Sequence, residues 1–237
     1  MLPRYWAVVP AAGSGTRMGG ELPKQYLPLC GRTVIEHTLR RLLSHAKISG
    51  VVVAVAGADP YFAAIRARLP DYGKPFLMAE GGSERCHSVL SALCALEPVA
   101  SSTDWVLVHD AVRPCLRHAD IDRLMHALDG HPAGGLLGLR LHDTIKRVDA
   151  AGGVRATENR SELWRALTPQ MFRLGVLSAA LAQAIADQAA VTDECAAMER
   201  HGAVPLMVQG APDNIKITQP QDLPLAEFYL IQQGDET

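Results

Sequence analysis

Residues 5–24 read YWAVVPAAGSGTRMGGELPK. The first five are apolar and strand-like, and Pro10 ends them. Small residues and glycines follow, with Arg17 inside the loop and Lys24 just after it. Without bulky side chains, backbone N–H groups can approach anion oxygens closely, so a strand running into such a loop predicts an anion cradle. The loop lacks G-K-[ST] and is not a Walker A loop. It begins like G-x-G-x-x-G, but Met18 stands where the third glycine belongs, and no acidic residue ends the second strand to take a ribose. Arg17 and Lys24 point instead to a nucleoside triphosphate. Arg forks onto two phosphate oxygens and Lys acts as a point charge. Cations fixed beside a phosphorus under attack stabilise charge that builds in the transition state.

Outward from the loop, strand-like and helix-like segments alternate. Residues 33–45 carry Val34, Ile35, Leu39, Leu42 and Leu43 at helical spacing, with Thr33 as N-cap and Glu36 three residues on, as in a capping box. Residues 51–56 form a continuous apolar run, as in a strand covered on both faces. Asp59 is placed to cap the next helix. Strands are expected at 76–79, 105–108, 134–139 and 204–208, and helices at 83–96, 121–128, 173–187, 192–201 and 219–229. This alternation predicts an α/β fold with a mostly parallel sheet and helices on both faces. Ligands in such folds sit beyond the carboxyl ends of the strands, which directs attention to Pro10, Ala79 and His109 onward.

Residues 142–160 interrupt the pattern with two short mixed segments around a glycine turn, the mark of a β-hairpin. The hairpin either folds back on its own domain or projects as an arm steadied by a second subunit, since an isolated hairpin is marginal in water. A single domain over 1–237 is expected, with 140–160 as the β-arm.

Composition bounds the partners. With 48% hydrophobic and 20% charged residues, the 237-residue chain is ordinary for a globular protein. A net charge of −2 argues against a general nucleic-acid binder. No apolar run is long enough for a membrane span, and the N-terminus shows no secretory signal pattern. Five scattered cysteines, with no C-x-x-C pair, read as free thiols in a reducing compartment. A cytoplasmic location is expected.

The loop does not stand alone. PAAGSGTRM at 10–18 and PKQY at 23–26 are followed in order by GGSERCHSV at 81–89, HDAVRP at 109–114 and DTIKR at 143–147. NRSELWRALTPQ at 159–170, TDE at 192–194, DNIKIT at 213–218 and AEFYL at 226–230 complete the set. This ordered set resembles the 2-C-methyl-D-erythritol 4-phosphate cytidylyltransferases along nearly the whole chain. Arg140, His142, Cys86-His87 and Glu194-Cys195 depart from that family's commoner residues.

The resemblance implies a Rossmann-like nucleotidyltransferase fold, a projecting β-hairpin arm, a homodimer through that arm, and a Mg²⁺-dependent reaction. CTP and 2-C-methyl-D-erythritol 4-phosphate would give 4-diphosphocytidyl-2-C-methyl-D-erythritol and pyrophosphate, a step of the non-mevalonate isoprenoid pathway. By the same resemblance, Arg17 and Lys24 stabilise charge at the α-phosphate. Ala11, Ala12, Gly13 and Gly15 line the nucleotide, and Gly81, Gly82 and Ser88 hold cytosine and ribose. Asp110 serves the metal, a substrate hydroxyl, or both, because a carboxylate among phosphates makes sense with Mg²⁺, a cation that prefers hard oxygens. Arg113 is a lesser substrate contact and His109 is structural. Arg160 and Lys216 position the substrate phosphate, and Thr144 and Thr192 supply hydroxyl contacts. An arm that reaches the partner's site makes both active sites composite.

Three rivals remain at this level. One is a cytidylyltransferase for ribitol 5-phosphate or another polyol phosphate. The second is a NAD(P)-binding dehydrogenase, disfavoured by Met18. The third is a non-catalytic nucleotide-binding regulator, which would not require Arg17, Lys24, Asp110 and Lys216 together.

Overall fold

The computed structural model describes residues 3–13 and 22–234. Among them, seven strands form one sheet in the order β11-β7-β10-β6-β1-β4-β5. These are β1 (Tyr5–Pro10), β4 (Ile48–Val55), β5 (Phe76–Glu80), β6 (Trp105–Val108), β7 (Gly135–Arg140), β10 (Trp164–Arg173) and β11 (Leu206–Gln209). β1 pairs in parallel with β4 and β6, β4 with β5, and β7 with β11. β10 alone runs antiparallel to its neighbours β6 and β7. The expected mostly parallel sheet is therefore observed.

Alternation along each strand explains the two helix layers. Ala7 and Val9 of β1, with Val51 and Val53 of β4, face α1 (Val34–Ser44), α2 (Phe62–Arg68) and α4 (His118–Ala127). Trp6 and Val8, with Val52 and Ala54, face α3 (Arg85–Leu96), α5 (Leu174–Ala186) and α6 (Glu194–Arg200). Successive side chains point to opposite faces, so a strand covered on both sides must be apolar throughout. A third cluster seats α7 (Asp222–Gln233) through Ala226 and Leu230 on Leu29, Val34, Val112 and Ile217. No helix among the described residues is long and apolar enough to cross a membrane.

Local signals in the sequence act as expected at two helix starts. The Glu36 carboxylate accepts from the Thr33 N–H at 2.7 Å and from its hydroxyl at 2.8 Å. Asp59 Oδ1 accepts the N–H groups of Tyr61 and Phe62, both at 2.9 Å, as α2 begins.

β10 was not expected. Its sequence, WRALTPQMFR, contains Pro169, which cannot donate to a ladder and argues against a central strand. The structure accommodates it at a break in register. Pairing with β7 is regular from Trp164 to Ala166, shifts, and resumes at Gln170 opposite Leu136.

The 142–160 segment forms a separate two-stranded hairpin, β8 (Lys146–Val148) with β9 (Val154–Thr157). All seven of its strand residues are exposed. Asp149 holds the turn, its Oδ1 accepting the Ala151 and Gly153 N–H groups at 3.0 and 2.8 Å, and Gly152 supplies a φ of +86°. β2 (Pro28–Leu29) and β3 (Arg32–Thr33) form a minor hairpin before α1.

Candidate active site

The carboxyl ends of β1, β5 and β6 open onto one cleft of about 490 Å³. It is lined by Ala11, Ala12 and Gly13 after β1, by Gly82, Arg85 and Ser88 after β5, by Asp110 after β6, and by Lys24 and Lys216. These are the strand ends to which the α/β rule pointed.

The glycine wall is a steric requirement. A Cβ on Gly81 would stand 2.1 Å from the Ala12 Cβ, so the β1 and β5 loops approach more closely than any side chain allows. A Cβ on Gly82 would strike the His87 Cβ at 2.3 Å. The Gly82 N–H donates to Ser88 Oγ at 3.1 Å, and that hydroxyl donates to the Glu84 carbonyl at 3.2 Å. Ser88 is thus buried and ties the wall to the first turn of α3. On the opposite side, the buried Gln25 amide donates to the Ala11 and Gly13 carbonyls, both at 2.9 Å, and shapes the start of the loop.

Asp110 is the electrostatic centre. Its Oδ1 is 3.2 Å from Arg85 Nε, and its Oδ2 is 3.3 Å from Arg113 Nε and 3.0 Å from Lys216 Nζ. Burial alone raises a carboxyl pKa. Here Arg85, Lys216 and Arg113 overcome it and hold Asp110 far below the usual carboxylate range. Arg85 in turn forks onto Glu194 at 2.5 and 3.0 Å. Burial raises the pKa of Glu194, and Arg85 acts against that rise.

The surrounding scaffold is neutral. His109 is fully buried, its Nε2 3.0 Å from the Arg113 carbonyl and its Nδ1 2.9 Å from the Thr168 hydroxyl. Burial pushes it down to about 4, so it is uncharged and structural, as expected. The Thr168 hydroxyl accepts the Asp110 N–H at 3.2 Å. The Asn214 amide donates to the Thr168 carbonyl at 2.7 Å, and the Asn214 carbonyl accepts from Arg113 at 2.8 Å. Lys216 is thereby set two residues beyond an anchored backbone.

The structure brings Ala11, Ala12, Gly13, Lys24, Gly82, Ser88, Asp110 and Lys216 to one cleft, with Gly81 immediately behind and Arg113 bonded to Asp110. Gly15 and Arg17 lie outside the described residues. Thr144, Arg160 and Thr192 do not line this cleft. Thr144 and Arg160 meet each other at the root of the arm, where the guanidinium donates to the hydroxyl at 3.2 Å. Exposed Thr192 precedes Asp193 and Glu194, which open α6. Sequence reasoning assigned no role to Arg85, Gln25 or Glu194. All three stood inside quoted motifs, but buried pairing across 109 residues leaves no local pattern.

A mostly parallel sheet, a glycine wall and cations gathered at the strand ends make a cleft suited to a phosphorylated ligand. The chain matches the family model described as 2-C-methyl-D-erythritol 4-phosphate cytidylyltransferase over residues 5–232. It is 52% identical over 230 residues to the protein of that name from Vibrio vulnificus (strain YJ016), covering 97% of this chain and 95% of the relative. It is 50% identical over 224 residues to that from Pseudomonas putida (strain W619), covering 94% of each. Among solved structures, a 4-diphosphocytidyl-2C-methyl-D-erythritol synthase superposes with a TM-score of 0.83 at 34% identity, over 97% of this chain and 99% of that one. The Francisella tularensis 2-C-methyl-D-erythritol 4-phosphate cytidylyltransferase gives 0.80 at 32% identity, over 96% and 100%. The chain belongs to the 2-C-methyl-D-erythritol 4-phosphate cytidylyltransferase family.

Proposed function

We propose that the cleft transfers the cytidylyl group of CTP to the phosphate of 2-C-methyl-D-erythritol 4-phosphate, in the cytoplasm, as a step of the non-mevalonate isoprenoid pathway. The acceptor phosphate oxygen forms a bond to the α-phosphorus. The bond from that phosphorus to the β-phosphate bridging oxygen breaks, and pyrophosphate leaves with the electron pair. An ionised phosphate needs no general base, which agrees with a buried, neutral His109. Rate then comes from alignment and charge neutralisation. The observation that carries this reading is the convergence of Lys24, Arg85 and Lys216 on one glycine-walled cleft. Lys24, with Arg17 on the same loop, serves the α-phosphate. Gly81, Gly82 and Ser88 form the close wall that suits a pyrimidine better than a larger purine.

Lys216 also lines a second cavity of about 330 Å³ together with Arg113 and Arg165. This cationic lining supports acceptor-phosphate binding on that side of Lys216. Asp110 fits Mg²⁺ as its protein ligand. Among the described residues, its Oδ1 has one ion-pair partner where Oδ2 has two, and a carboxylate oxygen can accept from two directions. Mg²⁺ is usually held by one or two carboxylates plus substrate phosphates, and when bound it would neutralise triphosphate charge.

The arm supports a homodimer. Val148 and Val154 are 53% and 64% exposed, and a hairpin of two strands is marginal without a covering surface. A partner seated there would receive Thr144 and Arg160 at its own acceptor site, with Thr192 contributing a hydroxyl. Pyrophosphate release across four nucleoside triphosphates and two acceptors, methylerythritol phosphate and ribitol 5-phosphate, with and without Mg²⁺, tests the reading. Release confined to CTP, methylerythritol phosphate and metal is expected. Preference for ribitol 5-phosphate would overturn the acceptor.

A further inference from the structure

The start of α3 carries a donor set that magnesium does not favour. Cys86 Sγ lies 3.8 Å from Glu84 Oε2 and 3.9 Å from His87 Nδ1. One ligand atom from each of Glu84, Cys86 and His87 lies within 4.8 Å of the others, and no other such trio converges among the described residues. Zinc bonds of about 2.0–2.3 Å in a tetrahedron set ligand atoms roughly 3.3–3.8 Å apart. Both sulfur distances are within tenths of an ångström of that range, and Glu84 is exposed and able to swing.

The trio sits on the rim of the cleft. Ser83 and Glu84 line the cleft, Ser83 Oγ is 3.4 Å from His87 Nδ1, and the His87 Cβ packs against Gly82. A metal drawn to these three atoms would fix the turn that forms the glycine wall. We propose that Glu84, Cys86 and His87 form a site for a thiophilic divalent cation of the zinc class, and that its occupancy is coupled to nucleotide binding in the adjoining cleft.

On ligation the Cys86 thiol releases one proton to solvent, His87 gives the Nδ1 lone pair and keeps its proton on Nε2, and Glu84 binds as the carboxylate. Three protein ligands leave a fourth position for water. Thiolate and imidazole select zinc or cobalt, whereas Mg²⁺ demands oxygen, so the excess Mg²⁺ used for catalysis does not fill the site. The coupling rests on reading the cleft as the CTP site; the metal site itself does not.

The full-length protein, stripped with a chelator, is titrated with Co²⁺ in the presence of Mg²⁺. One equivalent is expected to saturate a thiolate-to-cobalt charge-transfer band in the near ultraviolet, and Zn²⁺ is expected to displace it. Cys86→Ser is expected to abolish the band, and His87→Ala to weaken cobalt binding by about tenfold or more. No band in the parent protein, or an unchanged band in Cys86→Ser, overturns the site. CTP is expected to shift the cobalt Kd about fivefold or more, with the reciprocal effect of cobalt on CTP. Equal cobalt Kd values with and without bound CTP overturn the coupling. If CTP fails to bind the metal-stripped protein in Mg²⁺, the cytidylyltransferase reading fails, and the cobalt band still decides the site.

Discussion

Arg85 forks onto the Glu194 carboxylate, joining the first turn of α3 to the first turn of α6 across 109 residues of sequence. Its Nε simultaneously reaches Asp110, so one guanidinium ties both helices to the end of β6. Glu194 is fully buried, and Arg85 offsets part of the pKa rise that burial imposes on it. Breaking a buried pair by removing one partner costs about 3–5 kcal/mol, because the remaining charge is uncompensated. Arg85→Met is expected to lose stability of that order in urea unfolding. The double variant Arg85→Met/Glu194→Met is expected to recover most of it. A double variant as unstable as the single one would mean that packing, not charge, holds this junction.

Lys24 lines the cleft beside Gly13. Lys24→Ala is expected to lower kcat by about 10²–10³, the loss typical of one group that stabilises transition-state charge, with the native circular dichroism spectrum retained. Steady-state pyrophosphate release measures it. Near-normal turnover would remove Lys24 from catalysis. Arg17→Ala, on the same loop, is expected to behave alike.

Lys216 and Arg160 are expected to act on the acceptor. Lys216→Ala and Arg160→Ala should each raise KM for methylerythritol phosphate about tenfold or more, the loss of one charged contact, and change KM for CTP little. Mixing Lys24→Ala and Arg160→Ala subunits tests the arm. Random exchange makes roughly half of the dimers hybrid, each with one intact composite site, so activity should return toward roughly a quarter of the parent value. Exchange without recovery would show that each chain completes its own site.

His109 gives a pH signature. An ordinary histidine titrates near 6.5, and burial takes His109 down to about 4. Between those values the unfolded chain binds more protons, so stability contributed above pH 6.5 is lost as the pH falls toward 4. One proton corresponds to about 1.4 kcal/mol per pH unit. Burial also lowers His37 and His45, so the test is a difference. The stability slope between pH 6.5 and 4 is expected to be shallower in His109→Gln than in the parent, measured by urea unfolding. Equal slopes would show that His109 is not the group responsible.

The legible parts of the fold share one cause. β1, β6 and the apolar run of β4 from Val51 onward read as strands because burial on both faces leaves no charged residue to blur the pattern. α1 was visible through its apolar spacing and through Thr33 and Glu36 at its start. β10 was not visible, because Pro169 contradicts a central strand unless one knows that the ladder breaks there. The strand-end rule located the cleft correctly at Ala11, Gly82 and Asp110 without any side-chain geometry.

Some site residues could not be found this way. Gln25 does its work through an amide that reaches back to Ala11 and Gly13, a contact no spacing rule anticipates. Arg85 follows the glycine turn and reads locally as an exposed helix-start cation, yet it faces two buried carboxylates.

By itself, then, the sequence determined the alternation of strands and helices, the glycine-rich segment at 10–24 and the family to which its motifs belong. Those are local properties, written in side-chain periodicity and in glycine placement. Tertiary structure decided which charges meet. Asp110 receives Arg113 from its own loop, and Arg85 from α3 and Lys216 from beyond β11 because the packed sheet and helices bring two distant segments to one strand end. Such pairing depends on sheet order and packing, neither of which has a period along the chain.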